Sequence, residues 1–479
     1  MNKTGASRPG DTILAERARP AIVLHLLCVN GIALVALGFV PVVVAAVEGA
    51  WPMAKALLPG LLISSAMAWY ALRKPLPSNI RKVEGLVSVA ASFLVATLFV
   101  TPGFLALGLA PVDALFEAAS AFTTTGLSTV ASTDAWPYAG HLLRAWVQWV
   151  GGFAFLAAAL SLVVGKGLLA RRLGAAEGIS EGIAASTQTR ARQLLAAYIV
   201  VTAVAIALLA LIAERPEIGL LIALSGVSTG GFAPMADSLA STGAAMQVAS
   251  ALACLLGATS LGLLWQAARG NVNALRTDPE LKALLLIIAG AAALLMLIER
   301  DAGGALFTVV SAATTAGYST VSVADYSVSG QLIVIVVMMV GGCTGSTAGG
   351  LKVFRVLFLG AAMRLTLLRT RTPSSAETYL RLFGRKTDAA EGTDILGLVV
   401  IYVVTAVIVW GILLSSGAGP LPALFETISA LSTVGLSAGV TAEELATGAK
   451  LALTAAMLLG RLEFLAMIAL LSYGTWRKA

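Results

Sequence analysis

Four stretches of the chain repeat one spacing of serine, threonine and glycine. Residues 114–128 read ALFEAASAFTTTGLS, 305–319 read ALFTVVSAATTAGYS and 423–437 read ALFETISALSTVGLS; a weaker copy, LLIALSGVSTGGFA, occupies 220–233. Aligned on Gly126, Gly231, Gly317 and Gly435, each copy has a serine six residues earlier (Ser120, Ser225, Ser311, Ser429) and a threonine two earlier (Thr124, Thr229, Thr315, Thr433). The intervening residues are Thr125, Gly230, Ala316 and Val434, and a bulky apolar residue follows (Leu127, Phe232, Tyr318, Leu436). These types suit dehydration of a cation. A ring of backbone carbonyls replaces the ion's water without fixed charge, and the threonine hydroxyl adds a ligand at the inner end. Glycine serves where consecutive inward-facing carbonyls demand φ values costly to other residues. The twelve residues from threonine to glycine in the four copies are therefore the candidate selectivity filter for a cation. The second copy, with Gly230 beside Gly231, has the least secure register. The competing reading of the pattern is small-residue packing between helices, but the same apolar stretch precedes every copy.

The surrounding chain indicates how such loops are held. Of 479 residues, 58% are hydrophobic and 12% charged, about half the charge of a soluble domain, and mean hydropathy is +0.90. Apolar windows long enough to cross a bilayer fall at about 21–48, 52–72, 83–109, 139–169, 193–213, 242–268, 281–299, 328–342 continuing to 368, 394–416 and 445–475. Before each glycine lies a segment too short to cross, at about 112–123, 217–228, 303–314 and 420–431. Such re-entrant half-helices are tolerated at membrane depth where they line a cavity. The expected fold is an all-α membrane protein of four units, each helix, half-helix, filter loop and helix, around a central pore. The units span 81–175, 176–275, 276–390 and 391–479, and residues 1–80 supply two extra helices.

Charge orients the chain. With the N-terminus inside, Lys55, Arg144, Arg215, Arg300 and Lys450 fall outside, Arg461 falls within a span, and the other basic residues, among them Arg73, Lys74, Arg81, Lys82, Arg171, Arg172, Arg364, Arg369, Arg371, Arg385 and Lys386, fall inside. The net charge of +7 thus reports membrane orientation and not nucleic-acid binding. Acids such as Asp134, Asp237 and Asp325 are expected near the outer rim, where they concentrate cations. Glu117 and Glu426 hold equivalent places in their half-helices and read as supports behind the filter. Cys28, Cys254 and Cys343 read as free buried thiols; two isolated histidines, His25 and His141, make no metal cluster. No nucleophile motif, Walker loop or dinucleotide fingerprint is present; the chain reads as a non-enzyme that carries no cofactor of its own.

Two features remain. Residues 341–352, GGCTGSTAGGLK, are too rich in glycine, serine and threonine for regular helix. They read as a mid-membrane loop inside the filter, with Cys343, Thr344, Gly345, Ser346, Thr347, Ala348, Gly349 and Gly350 as the candidate gate, a passive kink being the alternative. Arg461, in GRLEFL, sits deep in the last span, where a charge is expensive and functional by default. Facing the pore below the filter it weakens cation binding and aids exit; pairing with Glu463 or backbone carbonyls is the alternative.

The chain resembles the TrkH/KtrB/HKT superfamily of potassium transporters, most closely its bacterial TrkH branch. The likeness rests on FEAASAFTTTGLST at 116–129, RAWVQWVGGFAF at 144–155, STGGF at 228–232, TTAGYST at 314–320, GGCTGSTAGGLKVFRV at 341–356 and GRLEFL at 460–465. It implies a homodimer in the bacterial inner membrane with both termini cytoplasmic and one pore per protomer. It also implies a cytoplasmic RCK partner, TrkA-like, that binds the nucleotide (ATP or NAD) and gates the pore. By similarity the four glycines take the filter positions, 343–350 the gating loop, and Arg461 the family's pore-proximal arginine. Glycine at all four positions goes with potassium. A sodium-permeable relative, a proton- or sodium-coupled symporter with broken helices and a non-conducting regulatory subunit remain competing readings.

Overall fold

A computed structural model describes residues 17–75, 79–162, 183–373, 378–383, 385–386 and 389–476. Arg171, Arg172 and the boundary expected at 175 lie outside the described residues. Apart from a two-residue antiparallel ladder, Arg381–Leu382 with Arg385–Lys386, the described elements are helical.

Polarity is inverted relative to a soluble protein. Leu62, Leu211, Leu286 and Leu297 stand exposed, whereas Glu117, Gln148, Glu426 and Arg461 are buried. Lipid suits the first set, and the second must find partners inside. Among the described residues six helices are each long and apolar enough to cross a bilayer, and two bent pairs bring that to as many as eight.

The repeated unit begins with an outer helix: Lys82–Ala106, Ile183–Ile212, Pro279–Glu299 or Ala389–Ser415. A half-helix of 12 residues follows in every case: Pro111–Phe122, Pro216–Val227, Ala302–Ala313 and Pro420–Leu431. Three start with proline, whose missing N–H costs nothing at a helix's first position. The other is capped by the Asp301 carboxylate, which accepts from Gly304 N at 3.2 Å.

The inner helices differ from one another. Tyr138–Leu162 is continuous. In the second unit Ala244–Ala258 and Leu261–Ala268 meet at 103°, and in the fourth Thr447–Arg461 and Leu465–Leu471 meet at 114°. Both regions read as single spans in the sequence, so both breaks are corrections. The first arises because the loop of the third unit takes over the helix's bonds: Cys343 N donates to Ala258 O at 2.9 Å, and Leu261 N to Gly345 O at 3.0 Å. At the second, Glu463 and Phe464 hold φ of 50° and 61°. In the third unit Val328–Val340 and Val353–Arg369 flank non-helical residues 341–352.

The extra helices Pro20–Glu48 and Trp51–Arg73 pack on each other and on the first unit. The first and last of the described residues meet: Ala18 N donates to Thr475 O at 3.0 Å, and Ala18, Val23 and Val87 pack with Leu470 and Trp476.

Candidate functional site

All four half-helices end in one device. The threonine N–H bonds back three residues (Thr124 to Ala121 O, Thr229 to Gly226 O, Thr315 to Ala312 O, Thr433 to Ala430 O). The next N–H bonds back five (Thr125 to Ser120 O, Gly230 to Ser225 O, Ala316 to Ser311 O, Val434 to Ser429 O). This is the Schellman arrangement, which places its C′ residue in the left-handed region and usually employs glycine there. Here a β-branched threonine occupies it, at φ 54°, 55°, 54° and 50° for Thr124, Thr229, Thr315 and Thr433. Each such residue stores about 1–3 kcal/mol of strain, so the side chain has a use glycine could not serve. The glycine two residues later is also left-handed, at 87°, 75°, 77° and 94°. The residue between them is not, so backbone hand alternates along each loop.

The loops interlock in a cycle. A Cβ at Gly126 would overlap Gly230 O, one at Gly231 would overlap Ala316 O, one at Gly317 Val434 O, and one at Gly435 Thr125 O. Each glycine thus lies against the carbonyl of the residue preceding the next repeat's glycine, and the fourth repeat returns to the first. The half-helices end at this ring, bringing about half a negative charge each to its inner side.

Above the ring lies a cavity of about 580 Å³ lined by all four glycines. Of the three acids expected at the rim, Asp237 lines it; Asp134 and Asp325 do not, and Arg144 does. Asp134 accepts instead from Ser132 Oγ at 2.9 Å, and Asp325 belongs to the turn Val323–Asp325.

Below the ring lies the loop 341–352. Gly349 N donates to Thr315 Oγ1 at 2.8 Å, Thr347 Oγ1 stands 3.5 Å from Thr229 Oγ1, and a Cβ on Gly349 would strike Thr433 Oγ1. Thr347 Oγ1 reaches both Val227 O and Gly257 O at 2.9 Å, and Thr344 N donates to Glu280 Oε2 at 2.7 Å. The Thr124 and Thr433 hydroxyls have no hydrogen-bond partner among the described residues. Gly345 and Gly350 take positive φ, Ser346 Oγ donates to Cys343 O at 2.6 Å, and Ala348 is buried. Cys28, Cys254 and Cys343 are buried and unpaired.

Arg461 is 1% exposed and donates through Nη1 to Thr347 O at 2.8 Å, its guanidinium 4.2 Å from the centre of the Phe155 ring. Glu463 pairs with Arg355 instead, so of the alternatives for Arg461 the backbone carbonyl is the one observed. Lys352 Nζ reaches Ala348 O and shares the Phe155 ring at 5.1 Å. Phe155, Lys352 and Glu280 did not stand out in the sequence. Phe155 lies in a quoted motif, RAWVQWVGGFAF, but an aromatic in an apolar span carries no mark of its own.

Glu117 and Glu426 both lie behind the ring and hold the segment that follows their own glycine. Glu117 pairs with Arg144 and accepts from Ser128 Oγ at 3.0 Å. Glu426 has no cationic partner among the described residues; it accepts from Ser437 Oγ at 2.5 Å, Thr441 Oγ1 at 2.8 Å, Ala438 N at 3.1 Å and Val440 N at 3.2 Å.

Comparison with known proteins agrees with this architecture. The family model described as TrkH, cation transport protein, matches residues 66–299 and 298–473. The Ktr system potassium uptake protein B of Vibrio alginolyticus is 30% identical over 402 residues, covering 77% of this chain and 86% of that protein. The Trk system potassium uptake protein TrkH of Escherichia coli K12 is 27% identical over 430 residues, covering 83% and 88%. The crystal structure of the potassium transporter TrkH from Vibrio parahaemolyticus superposes with a TM-score of 0.82 at 24% identity, covering 95% of this chain and 99% of that one. The chain is a multi-pass membrane protein that belongs to the TrkH family of cation transport proteins.

Proposed function

We propose that the chain takes up potassium through the ring formed by Thr124–Thr125–Gly126, Thr229–Gly230–Gly231, Thr315–Ala316–Gly317 and Thr433–Val434–Gly435. The cyclic interlock of each glycine with the next repeat's carbonyl carries this reading. Four loops of alternating backbone hand turn successive carbonyls toward one axis, where they stand in for the ion's water. The vestibule supplies ions from outside, and the threonine hydroxyls are the innermost ligands.

Residues 343–350 act as the gate. They lie directly beneath the ring and bond to the second, third and fourth repeats, so an ion leaving the filter meets protein. Arg461 places a buried positive charge at that level, which disfavours a cation lingering there. Opening requires the loop to withdraw. The chain works as a homodimer in the bacterial inner membrane, both termini cytoplasmic, with a TrkA-like RCK partner that binds the nucleotide and moves the loop. Potassium as the ion follows the Trk and Ktr potassium uptake proteins named above, and the partner follows the resemblance carried by the sequence motifs.

The test is rubidium uptake into liposomes holding the purified protein, with sodium as competitor, for wild type and Gly126→Ser. Potassium-preferring flux that loses its preference in the variant supports the filter assignment. Selective flux indifferent to Gly126 would move the ion site elsewhere.

A further inference from the structure

The second filter loop is unlike the others, and the difference leads to a residue outside it. Gly230 stands where the other loops carry Thr125, Ala316 and Val434. It has no positive φ, so backbone freedom does not require glycine there. Space does: a Cβ at Gly230 would overlap the side-chain amide of Gln148, with the Gln148 Nε2 only 2.7 Å away. Gln148 belongs to the inner helix of the first repeat, Tyr138–Leu162, and is fully buried. Its amide fills the volume the missing side chain would take.

Three bonds fix that amide. Phe232 N donates to Gln148 Oε1 at 3.3 Å, and Ser225 Oγ also donates to Oε1. A backbone N–H can only donate, so the atom it meets is the oxygen, and Nε2 must face the loop. Nε2 donates to Gly230 O at 2.6 Å. That carbonyl is the one lying against Gly126 in the interlocked ring. It has two lone pairs; Gln148 takes one and thereby fixes the direction of the other. In the fourth repeat the loop is pinned differently, with Gly435 N donating to Ser429 Oγ at 3.0 Å.

We infer that Gln148 is a positioning residue for ion selectivity: it sets the Gly230 carbonyl of the second filter loop, and Gly230 is glycine to admit it. This rests on the pore reading above. A loosened carbonyl lets the ring contract around a smaller cation, so the effect belongs to discrimination, whereas a purely structural role would lower flux of every cation alike.

The experiment measures rubidium flux and its competition by sodium for the full-length protein in liposomes, with Gly126→Ser in parallel. Gln148→Met keeps the volume and removes all three bonds. At a pH where its carboxyl is ionised, Gln148→Glu keeps an acceptor for Ser225 and Phe232 and has no proton to donate to Gly230 O, whereas its protonated carboxyl can donate, so discrimination that recovers as pH falls marks that one bond. Gly230→Ala with Gln148→Ala relieves the clash without restoring the bond. All three variants are expected to lose about tenfold or more of potassium-over-sodium discrimination, the scale of one buried hydrogen bond left unmade, while rubidium still passes. Gln148→Met with wild-type discrimination, alongside a Gly126→Ser that has lost it, overturns the role of Gln148 and leaves the pore reading standing. Wild-type discrimination in Gly126→Ser as well overturns both.

Discussion

Four threonines at φ near 50° are the costliest backbone choices in the ring, and their hydroxyls are what the cost secures. Two lack partners among the described residues, and Thr315 Oγ1 accepts the Gly349 N–H of the loop 341–352. Replacing Thr315 by Val keeps the shape and strands that N–H, a penalty of about 1–3 kcal/mol on the closed loop, and it also removes one of the four hydroxyls proposed as innermost ligands. Rubidium flux of the protein without partner should then rise about fivefold or more, with Thr315→Ser behaving as wild type; unchanged flux in Thr315→Val would separate the loop from gating. The threonine and glycine columns were legible in the sequence because they recur. The left-handed threonines were not, since β-branched residues are among the least suited to that region. Gln148 was invisible for another reason: its partners Ser225, Gly230 and Phe232 lie about eighty positions away, and no local pattern announces them.

The inner helices must press against the half-helix ends, and glycine allows it. A Cβ at Gly151 would overlap Phe122 O, one at Gly257 Val227 O, and one at Gly460 Leu431 O, each the carbonyl of a half-helix's last residue. Gly411, on an outer helix, has nothing within 4 Å of its Cβ position. Gly460→Ala is therefore expected to destabilise by about 1–3 kcal/mol through overpacking. Gly411→Ala should be neutral or stabilising by about 0.5–1 kcal/mol. Thermal unfolding in detergent compares them, and equal melting temperatures would refute the contact. The first inner helix also carries Arg144, Gln148, Gly151 and Phe155 at spacings of four, three and four, one helical face. That face runs from the cavity past the ring of glycines to the loop 341–352. Half-helices were readable because they are short, apolar and mostly opened by proline. The bends at 259–260 and 462–464 were not: no glycine or proline stands at either break, the nearby Gly257 and Gly460 serve the close contacts just described, and at the first the bonds that break the helix come from the loop of another repeat.

At the scale of the molecule the loop 341–352 is held by contributions from every repeat: Phe155 from the first, Val227 and Gly257 from the second, Thr315 from the third, Arg461 from the fourth. No single repeat owns it, so weakening one tie biases the whole. Arg461→Gln, which removes the charge over Phe155, is expected to raise partner-independent rubidium flux. A variant that stays as closed as wild type would place the latch elsewhere. The fourfold arrangement followed from recurrence in the sequence, but the cycle did not, because its last contact, Gly435 against Thr125 O, joins residues some three hundred apart. That closing contact has a consequence for biosynthesis. A nascent chain that has inserted three repeats holds three quarters of a ring and lacks the wall that completes it. On the proposed pore, the pathway forms only after the fourth repeat has inserted beside the first, so a copy holding three repeats has no closed route for ions.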